Sequence, residues 1–159
     1  MLSDIFSAID GGNIALMSML DMSAAFDTVD HQILLQRLNT SFGISSTVLD
    51  WFTSYPSDRQ QHVRHSGHSS TTTTLTCGVP QGSVLGPILF ILYTADVTKI
   101  IQKYCLLHHL YADDSQIYGF CKPSAVDKAR LRDALTACIS EIAGWMKSNR
   151  LQFNSSKTE

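Results

Sequence analysis

The sequence predicts an α+β fold built as one domain. An apolar, strand-like run spans Ile14–Leu20, and a hairpin pattern places Cys105–Ala112 and Ser115–Phe120 on either side of a two-residue acidic turn, Asp113–Asp114. A third stretch, which begins at Ser124, repeats apolar residues every three and four positions, so one face of a long helix is expected to pack on a sheet. A chain of 159 residues is long enough for a single hydrophobic core.

Capping residues and helix breakers set the limits of the other elements in the first part of the chain. Met1–Asp10 is predicted to be a helix that ends at the glycine pair Gly11–Gly12. A second helix is expected to follow Asp30, where Ile33, Leu34, Arg37 and Leu38 have helical spacing. A third helix should begin near Ser45–Ser46 and end before Pro56.

Turn and strand signals organise the rest of the chain. Gln60–Cys77 is rich in threonine and serine and is predicted to form a two-stranded hairpin. Ser83 is expected to cap a helix over residues 84–101, with Pro87 tolerated in its first turn. Ser124 and Asp127 form a capping pair for the long helix, and Leu151–Phe153 is predicted to begin a further strand.

The composition excludes several classes of protein. The four cysteines are scattered without paired spacing, which argues against a structural zinc ribbon or a disulfide scaffold and favours reduced, intracellular thiols. No secretory signal precedes the first helix, and the longest apolar run, residues 84–93, is too short to span a membrane. The formal charge of −2 is a poor match for a stand-alone nucleic-acid binder, which normally carries a basic excess.

Three aspartates are placed where strands end. Asp21 follows the Ile14–Leu20 run, and Asp113 and Asp114 follow a second apolar run, so their carboxylates are expected to converge. Converging carboxylates repel one another unless a cation shares them. Hard oxygen ligands favour Mg²⁺ or Mn²⁺, and two such ions are what in-line phosphoryl transfer uses.

Four strings in a fixed order carry a resemblance to a known family. They are Leu-Asp-Met-Ser-Ala-Ala-Phe-Asp (20–27), Gly-Val-Pro-Gln-Gly-Ser (78–83), Tyr-Ala-Asp-Asp (111–114) and Leu-Gln-Phe-Asn-Ser-Ser-Lys-Thr-Glu (151–159). Together they resemble the motifs of the reverse transcriptase palm of non-LTR (LINE-type) retrotransposons. The resemblance implies an antiparallel sheet with helices packed on one face, in the split β-α-β, ferredoxin-like arrangement. It also implies that residues 1–159 are an incomplete palm, with the fingers mostly absent and the thumb wholly absent.

The same resemblance implies roles for individual residues. Asp21 and Asp113 would bind two Mg²⁺ or Mn²⁺ ions, Asp114 would act as a third catalytic carboxylate or partial ligand, and Lys157 would assist the departing pyrophosphate. For Lys157, the alternative is a solvated lysine near the end of the chain.

Three more residues are assigned to the nucleotide by resemblance. Phe26 would be a steric gate that crowds the 2′ position of the incoming nucleotide; the alternative is a core anchor. Gln81 and Gly82 would line the nucleotide and template side of the site, where a glycine-flanked helix N-terminus lets a nucleotide approach. A plain strand-to-helix turn is the alternative for this string.

Other polar residues favour structural interpretations. Asp27 and Asp30 lie past a strand end, where an aspartate commonly caps a helix. His62, His65 and His68 recur every three residues, but in a strand that offset places side chains on opposite faces, so no structural zinc site is expected.

These assignments imply an RNA-directed DNA polymerase that uses an RNA template, a DNA primer and deoxynucleoside triphosphates. The alternative is a catalytically incomplete palm remnant that binds nucleic acid or a partner. A viral-type RNA-dependent polymerase is disfavoured because Phe26 would exclude a 2′-hydroxyl. The nucleic-acid-binding residues are left unassigned. The family implies action in the nucleus, although no basic import signal is seen.

Overall fold

The computed structural model describes residues 1–154 and 156–158, which form two compact units. The first unit contains Met1–Ala25 and Thr94–Glu159, and the second contains Phe26–Tyr93. The helices are α1 (Leu2–Asp10), α2 (His31–Thr40), α3 (Ser46–Ser54), α4 (Leu85–Thr94), α5 (Val97–Lys103) and α6 (Ala125–Ser148). The strands are β1 (Ile14–Leu20), β2 (Met22–Ser23), β3 (Gln60–Gln61), β4 (Arg64–His65), β5 (His68–Ser69), β6 (Thr73–Thr74), β7 (Leu107–Tyr111), β8 (Asp114–Cys121) and β9 (Gln152–Phe153).

The first unit is built on a three-stranded antiparallel sheet with the order β1-β8-β7. The central strand β8 pairs with β1 from Ile14 opposite Cys121 to Leu20 opposite Ser115. A separate short ladder joins β2 to β9, which confirms the strand predicted at the end of the chain. The predicted α+β architecture with an antiparallel sheet is therefore present.

Helix α6 packs on the central strand through the face that the sequence predicts. Leu135, Cys138 and Ile142 are buried along this helix, and Ile117 of β8 is fully buried. At Gly119 an added Cβ would lie 2.7 Å from the Leu131 side chain, so a larger residue there would require Leu131 to move. The Ser124 hydroxyl accepts a hydrogen bond from the Asp127 backbone N–H at 3.1 Å, which confirms the predicted cap.

Glu141 fastens α6 to the end of α5. Its carboxylate accepts hydrogen bonds from the Lys103 ammonium at 2.7 Å and the Tyr104 hydroxyl at 2.6 Å. The bond from Lys103, followed by the bond from Tyr104, lowers the pKa of Glu141 below its usual value. Since both partners favour the ionised carboxylate, this contact holds the helix in place at neutral pH and weakens in acid.

The second unit has a core of its own. Leu38, Leu89 and Phe90 are almost completely buried, and the Arg37 guanidinium donates to the Tyr93 carbonyl. The Asp30 carboxylate accepts a hydrogen bond from the Ile33 backbone N–H at 2.9 Å, so Asp30 is the N-cap of α2, as predicted.

The hairpin predicted within 60–77 is present as two short ladders, β3 with β6 and β4 with β5. A two-residue turn at Ser66–Gly67 places His65 directly opposite His68. The expectation that histidines three positions apart lie on opposite faces is therefore wrong for this pair, because the turn folds them onto opposing strands.

Two sequence-based boundaries differ from the structure. The single helix predicted over 84–101 is two helices, α4 and α5, separated at Ala95–Asp96. Aspartate is a weak residue for a helix interior, and the Asp96 carboxylate pairs with Lys99 at 2.9 Å at the start of the second helix. The hairpin turn lies at Ala112–Asp113 instead of Asp113–Asp114, because Ala112 adopts the left-handed conformation with a φ of 54° and Asp114 already pairs with Tyr111.

Among the described residues no single helix is long and apolar enough to cross a bilayer, and α4 and α5 reach that length and composition only when taken together.

Candidate active site

The pairing of β1 with β8 places the predicted carboxylates at one end of the sheet. Leu20, the last residue of β1, lies opposite Ser115, so Asp21 follows the strand at the position where Asp114 begins β8. Asp113 occupies the adjoining turn between β7 and β8. Residues opposite each other in an antiparallel pair have Cα atoms about 4.5–5.5 Å apart. The backbones of Asp21, Asp113 and Asp114 therefore lie at the same edge of the sheet, and the convergence of their carboxylates on a cation stays a prediction.

Asn154 holds Asp21 in place. The Asn154 side-chain amide donates to Oδ2 of Asp21 at 2.7 Å, and the Asn154 backbone N–H donates to the Asp21 carbonyl at 3.0 Å. The Asp21 backbone N–H in turn donates to the Thr158 hydroxyl at 3.4 Å. Sequence analysis missed this role of Asn154. The available signal was its place in the string over 151–159, where only Lys157 was singled out.

Lys157 lies in the same segment but makes no side-chain contact with the carboxylates. Its ammonium is exposed, and its backbone N–H donates to the Asn154 carbonyl at 3.3 Å in the turn that follows β9. The neighbouring positions 155 and 159 lie outside the described residues. The structure thus ties the Lys157 segment to Asp21 through Asn154, and the role of the lysine stays a prediction.

The carboxylates at the sheet end have no cationic partner among the described residues. Neither Asp113 nor Asp114 forms an ion pair or a side-chain hydrogen bond there, and the Asp21 carboxylate is bound by a neutral amide. Asp114 is exposed, whereas Asp21 and Asp113 are half-buried. Within 1–154 and 156–158, no group of three or more histidine, cysteine or acidic side chains is placed so that it could hold a metal ion. The donor chemistry, three uncompensated carboxylates, nevertheless fits a hard divalent cation.

In the second unit, Phe26 is packed as a core anchor and is also partly accessible, and its role as a steric gate stays a prediction. Its ring packs at 5.2 Å from that of the fully buried Phe90, with an interplanar angle of 45°, while part of the side chain stays accessible. The Phe26 carbonyl accepts a hydrogen bond from the Val79 backbone N–H at 2.8 Å. The structure therefore anchors Phe26 in the unit and ties it to the Gly78–Ser83 string.

Gln81 is held by Asp27. The Gln81 side-chain amide donates to both carboxylate oxygens of Asp27, at 3.1 and 3.2 Å. Asp27 was predicted to cap a helix, and this is wrong: Asp30 caps α2, while Asp27 lies beyond the reach of the helix start and binds Gln81 instead. Because the Gln81 NH₂ group faces Asp27, its carbonyl oxygen is left as the acceptor for a ligand.

These two residues line a cavity of about 600 Å³ in the second unit. Its wall also includes Arg59 and Gln61 from the base of the hairpin and residues 77–80. The cavity offers a guanidinium from Arg59, a carboxylate from Asp27, two amides and an apolar surface from Leu75.

The two glycines of the Gly78–Ser83 string, Gly78 and Gly82, are favoured at their positions for different physical reasons. Gly78 has a φ of 90°, and an added Cβ would lie 3.1 Å from the Asp27 carbonyl oxygen. Gly82 has a φ of 78° with nothing within 4 Å of an added Cβ, so it stands exposed beside Gln81. The Ser83 hydroxyl accepts from the Gly86 backbone N–H at 3.0 Å, which confirms the predicted cap. Gly78 thus allows the backbone to pass close to Asp27, while Gly82 adopts the positive φ that the turn requires.

Solved structures share the fold of this chain, which has an antiparallel sheet with a helix packed on one face. The apo telomerase from Candida tropicalis matches 99% of this chain and 30% of its own with a TM-score of 0.70 at 16% identity. The Candida albicans telomerase, solved with a fragment of telomeric RNA, matches 99% of this chain and 29% of its own, with a TM-score of 0.65 at 17% identity. The predicted palm fold is confirmed.

The chain belongs to the reverse transcriptase (RNA-dependent DNA polymerase) family, whose model matches residues 6–159. The probable RNA-directed DNA polymerase from transposon BS of Drosophila melanogaster is 30% identical over 97% of this chain and 17% of its own length. The RNA-directed DNA polymerase from mobile element jockey of the same species is 29% identical over 87% of this chain and 15% of its own length. The chain therefore spans about one sixth of the length of these relatives. The predicted family is confirmed.

Gly78→Ala is expected to destabilise the protein more than Gly82→Ala. Both positions have a positive φ, which costs a residue with a Cβ about 1–2 kcal/mol. At Gly78 the added Cβ also meets the Asp27 backbone at 3.1–3.2 Å, so a further loss is expected there. The measurement is the free energy of unfolding in urea for the two variants. Equal losses would show that the contact with Asp27 relaxes without cost.

Proposed function

We propose that this chain supplies the palm of an RNA-directed DNA polymerase of a non-LTR retrotransposon. The observation that carries the proposal is the set of three carboxylates at the end of β1 and β8, which has no cationic partner in the described part of the chain. Like charges gathered at one edge destabilise a fold unless they serve a ligand. Family membership and the names of the Drosophila relatives support the same reaction.

Asp21 and Asp113 are the proposed ligands of two divalent ions, Mg²⁺ or Mn²⁺, with Asp114 in support. When bound, such ions supply electrostatic stabilisation to the attacking and leaving oxygens of an in-line displacement. Asn154 fixes the orientation of the Asp21 carboxylate by occupying Oδ2, which leaves Oδ1 as the free donor atom. An outer hydrogen bond of this kind orients a metal-binding side chain before the ligand arrives.

The remaining proposed roles concern the substrates, which are an RNA template, a DNA primer and deoxynucleoside triphosphates. Phe26 presents a ring that is fixed by Phe90 and excludes a 2′-hydroxyl. Gln81 presents its carbonyl oxygen to the nucleotide or template, and Gly82 leaves room beside it. Lys157 would deliver a proton or a positive charge to the pyrophosphate. Action in the nucleus is proposed on the basis of the family alone.

Primer extension on an RNA template with Mg²⁺ or Mn²⁺ tests the proposal. Asp113→Asn is expected to lower extension by more than about a hundredfold, since it removes a charged ligand and even outer-shell contacts are worth 10–100-fold. Asp133→Asn is the matched control, because Asp133 is an exposed aspartate on α6 that pairs only with Arg132 in the described residues. Extension that survives in the Asp113 variant overturns the assignment of the site. No extension by the unmodified, folded chain favours a binding remnant instead.

Phe26→Val is expected to relax the selection of the sugar. The shorter side chain removes the ring from the 2′ side, so kcat/KM for ribonucleotides should rise relative to deoxynucleotides by at least about tenfold, or about 1.4 kcal/mol. The ratio of the two substrates is measured on one protein sample, so a loss of stability from the broken contact with Phe90 cancels. An unchanged ratio would leave Phe26 as a core anchor only.

Asp27 is expected to act through Gln81 as a positioning residue. Asp27→Ala and Gln81→Ala should each raise KM for the deoxynucleotide. The double variant should show little further change, because either single change already removes the hydrogen bonds between Asp27 and the Gln81 amide. Asp27→Glu should restore part of the effect by returning an acceptor. Additive effects of the two single changes would show that Asp27 acts independently of Gln81.

A further inference from the structure

Two histidines face each other at the outer end of the hairpin. The register of β4 with β5 sets His65 directly opposite His68, and the two residues between them, Ser66 and Gly67, have φ values of 48° and 79°. Positive φ at both central positions is typical of a type I′ turn, which fixes the register of the strands that it joins. Residues opposite each other share a face of the ribbon and have Cβ atoms about 4.5–5.5 Å apart. The turn therefore holds the two imidazole side chains next to each other.

The imidazole nitrogens of this pair are not used inside the protein. Both side chains are exposed, and within residues 1–154 and 156–158 neither ring makes a hydrogen bond or an ion pair. The His31 ring differs, because its Nε2 lies 2.8 Å from the Gly78 carbonyl oxygen and connects α2 to that loop. A structural contact of that kind does not account for His65 and His68, whose nitrogens are open to a ligand from solution.

His62 does not join the pair. Backbone pairing continues to Val63, whose carbonyl accepts a hydrogen bond at 2.9 Å from the residue opposite. Since side chains alternate between the faces of a strand, Val63 shares the face of His65, and His62 lies on the other face with Arg64. The Arg64 guanidinium donates to the Ser69 hydroxyl at 3.4 Å on that other face. The described residues accordingly offer a pair of ligands here and not a group of three.

We infer that His65 and His68 together bind one Zn²⁺ ion, with water in the remaining coordination positions. Imidazole nitrogens bind Zn²⁺ at about 2.0–2.1 Å, so two of them on a tetrahedral ion lie about 3.3 Å apart. Rings on neighbouring Cβ atoms reach this separation by choice of rotamer. Zn²⁺ has no geometric preference from its d electrons and accepts water beside protein ligands. No aspartate or glutamate occurs between Arg59 and Ala95, so nitrogen donors alone select the ion, which disfavours Mg²⁺.

An ion bound to both rings would tie β4 to β5. Their ladder contains two residue pairs, and an isolated two-stranded hairpin is marginally stable in water. The ion binds the closed hairpin, in which both rings share a face, so it stabilises that form by mass action. The inference goes beyond the proposed function and does not rest on it, because it uses none of the residues assigned to the polymerase reaction.

Calorimetric titration of the full chain with Zn²⁺ tests the pair. His65→Ala and His68→Ala are each expected to weaken binding by at least about tenfold, since even a partner outside the ligand shell is worth 10–100-fold in metal affinity. The double variant should lose little more than either single variant. His62→Ala is the matched control, because it removes an exposed imidazole from the other face of the same hairpin and should leave the affinity unchanged. Excess Mg²⁺ should not displace the ion.

Hydrogen exchange of the Ser70 amide tests whether the ion bridges the strands. This N–H donates to the Val63 carbonyl beside the pair. With Zn²⁺ at ten times its Kd, exchange through opening of the hairpin should slow by about tenfold in the unmodified chain and in the His62 variant. The effect should be lost in the His65 and His68 variants.

Four results would each overturn the inference. Affinity that is unchanged in both variants of the pair would exclude these ligands, and a loss in only one of them would indicate a single imidazole. An equal loss in the His62 variant would show that the histidines do not act as a facing pair. Displacement by Mg²⁺ would place the ion at the aspartates instead. Binding without slower exchange at Ser70 would show that the ion does not join β4 to β5.

Discussion

The site depends on the antiparallel pairing of β1 with β8. Its register sets Leu20 opposite Ser115, and as a result Asp21 and Asp114 come to the same end of the sheet although they are far apart in sequence. Side chains alternate between the faces of a strand, so a slip of one residue would turn Ile117 away from α6 and reverse every neighbouring side chain. The burial of Ile117 in the strand on which α6 packs therefore sets the position of the aspartates as well as contributing to the stability of the sheet. Gly119 is part of the same constraint, because its missing side chain lets Leu131 approach the strand.

This arrangement places the negative charges of the aspartates at the end of the sheet, where they do not stabilise the fold. Three aspartates lie at one end of the sheet, and the side-chain hydrogen bond made to them in the described residues comes from the uncharged Asn154 amide to Asp21. An arginine at that position would neutralise the charge but would also occupy the oxygens that a cation needs. A neutral amide orients Asp21 while it leaves the negative potential of the site intact. An amide partner of this kind is what the proposed metal-binding role of Asp21 requires, whereas a cationic partner would make it a structural ion pair.

Sequence reasoning succeeded where the signal is local and failed where it depends on tertiary contacts. Apolar periodicity and capping residues located α6 and the strand before Asp21, because these patterns are set by the element itself. The break between α4 and α5 and the true hairpin turn were missed, since both depend on backbone choices at Asp96 and Ala112 that composition does not reveal. The pairings of Asp27 with Gln81 and of Asp21 with Asn154 join residues 54 and 133 positions apart. One sequence without its fold gives no means of finding such partners.

The net charge of the whole chain does not report how charge is distributed over its surfaces, and this distribution determines which surfaces can contact nucleic acid. The formal value of −2 argues against a nucleic-acid binder when taken as an average. The net charge averages over two different regions. Carboxylates lie at the ends of β1 and β8, whereas the sequence between Arg59 and Ala95 contains no aspartate or glutamate. Acidic side chains are therefore unevenly distributed along the sequence, and the local field near each surface, more than the average, decides what can bind there.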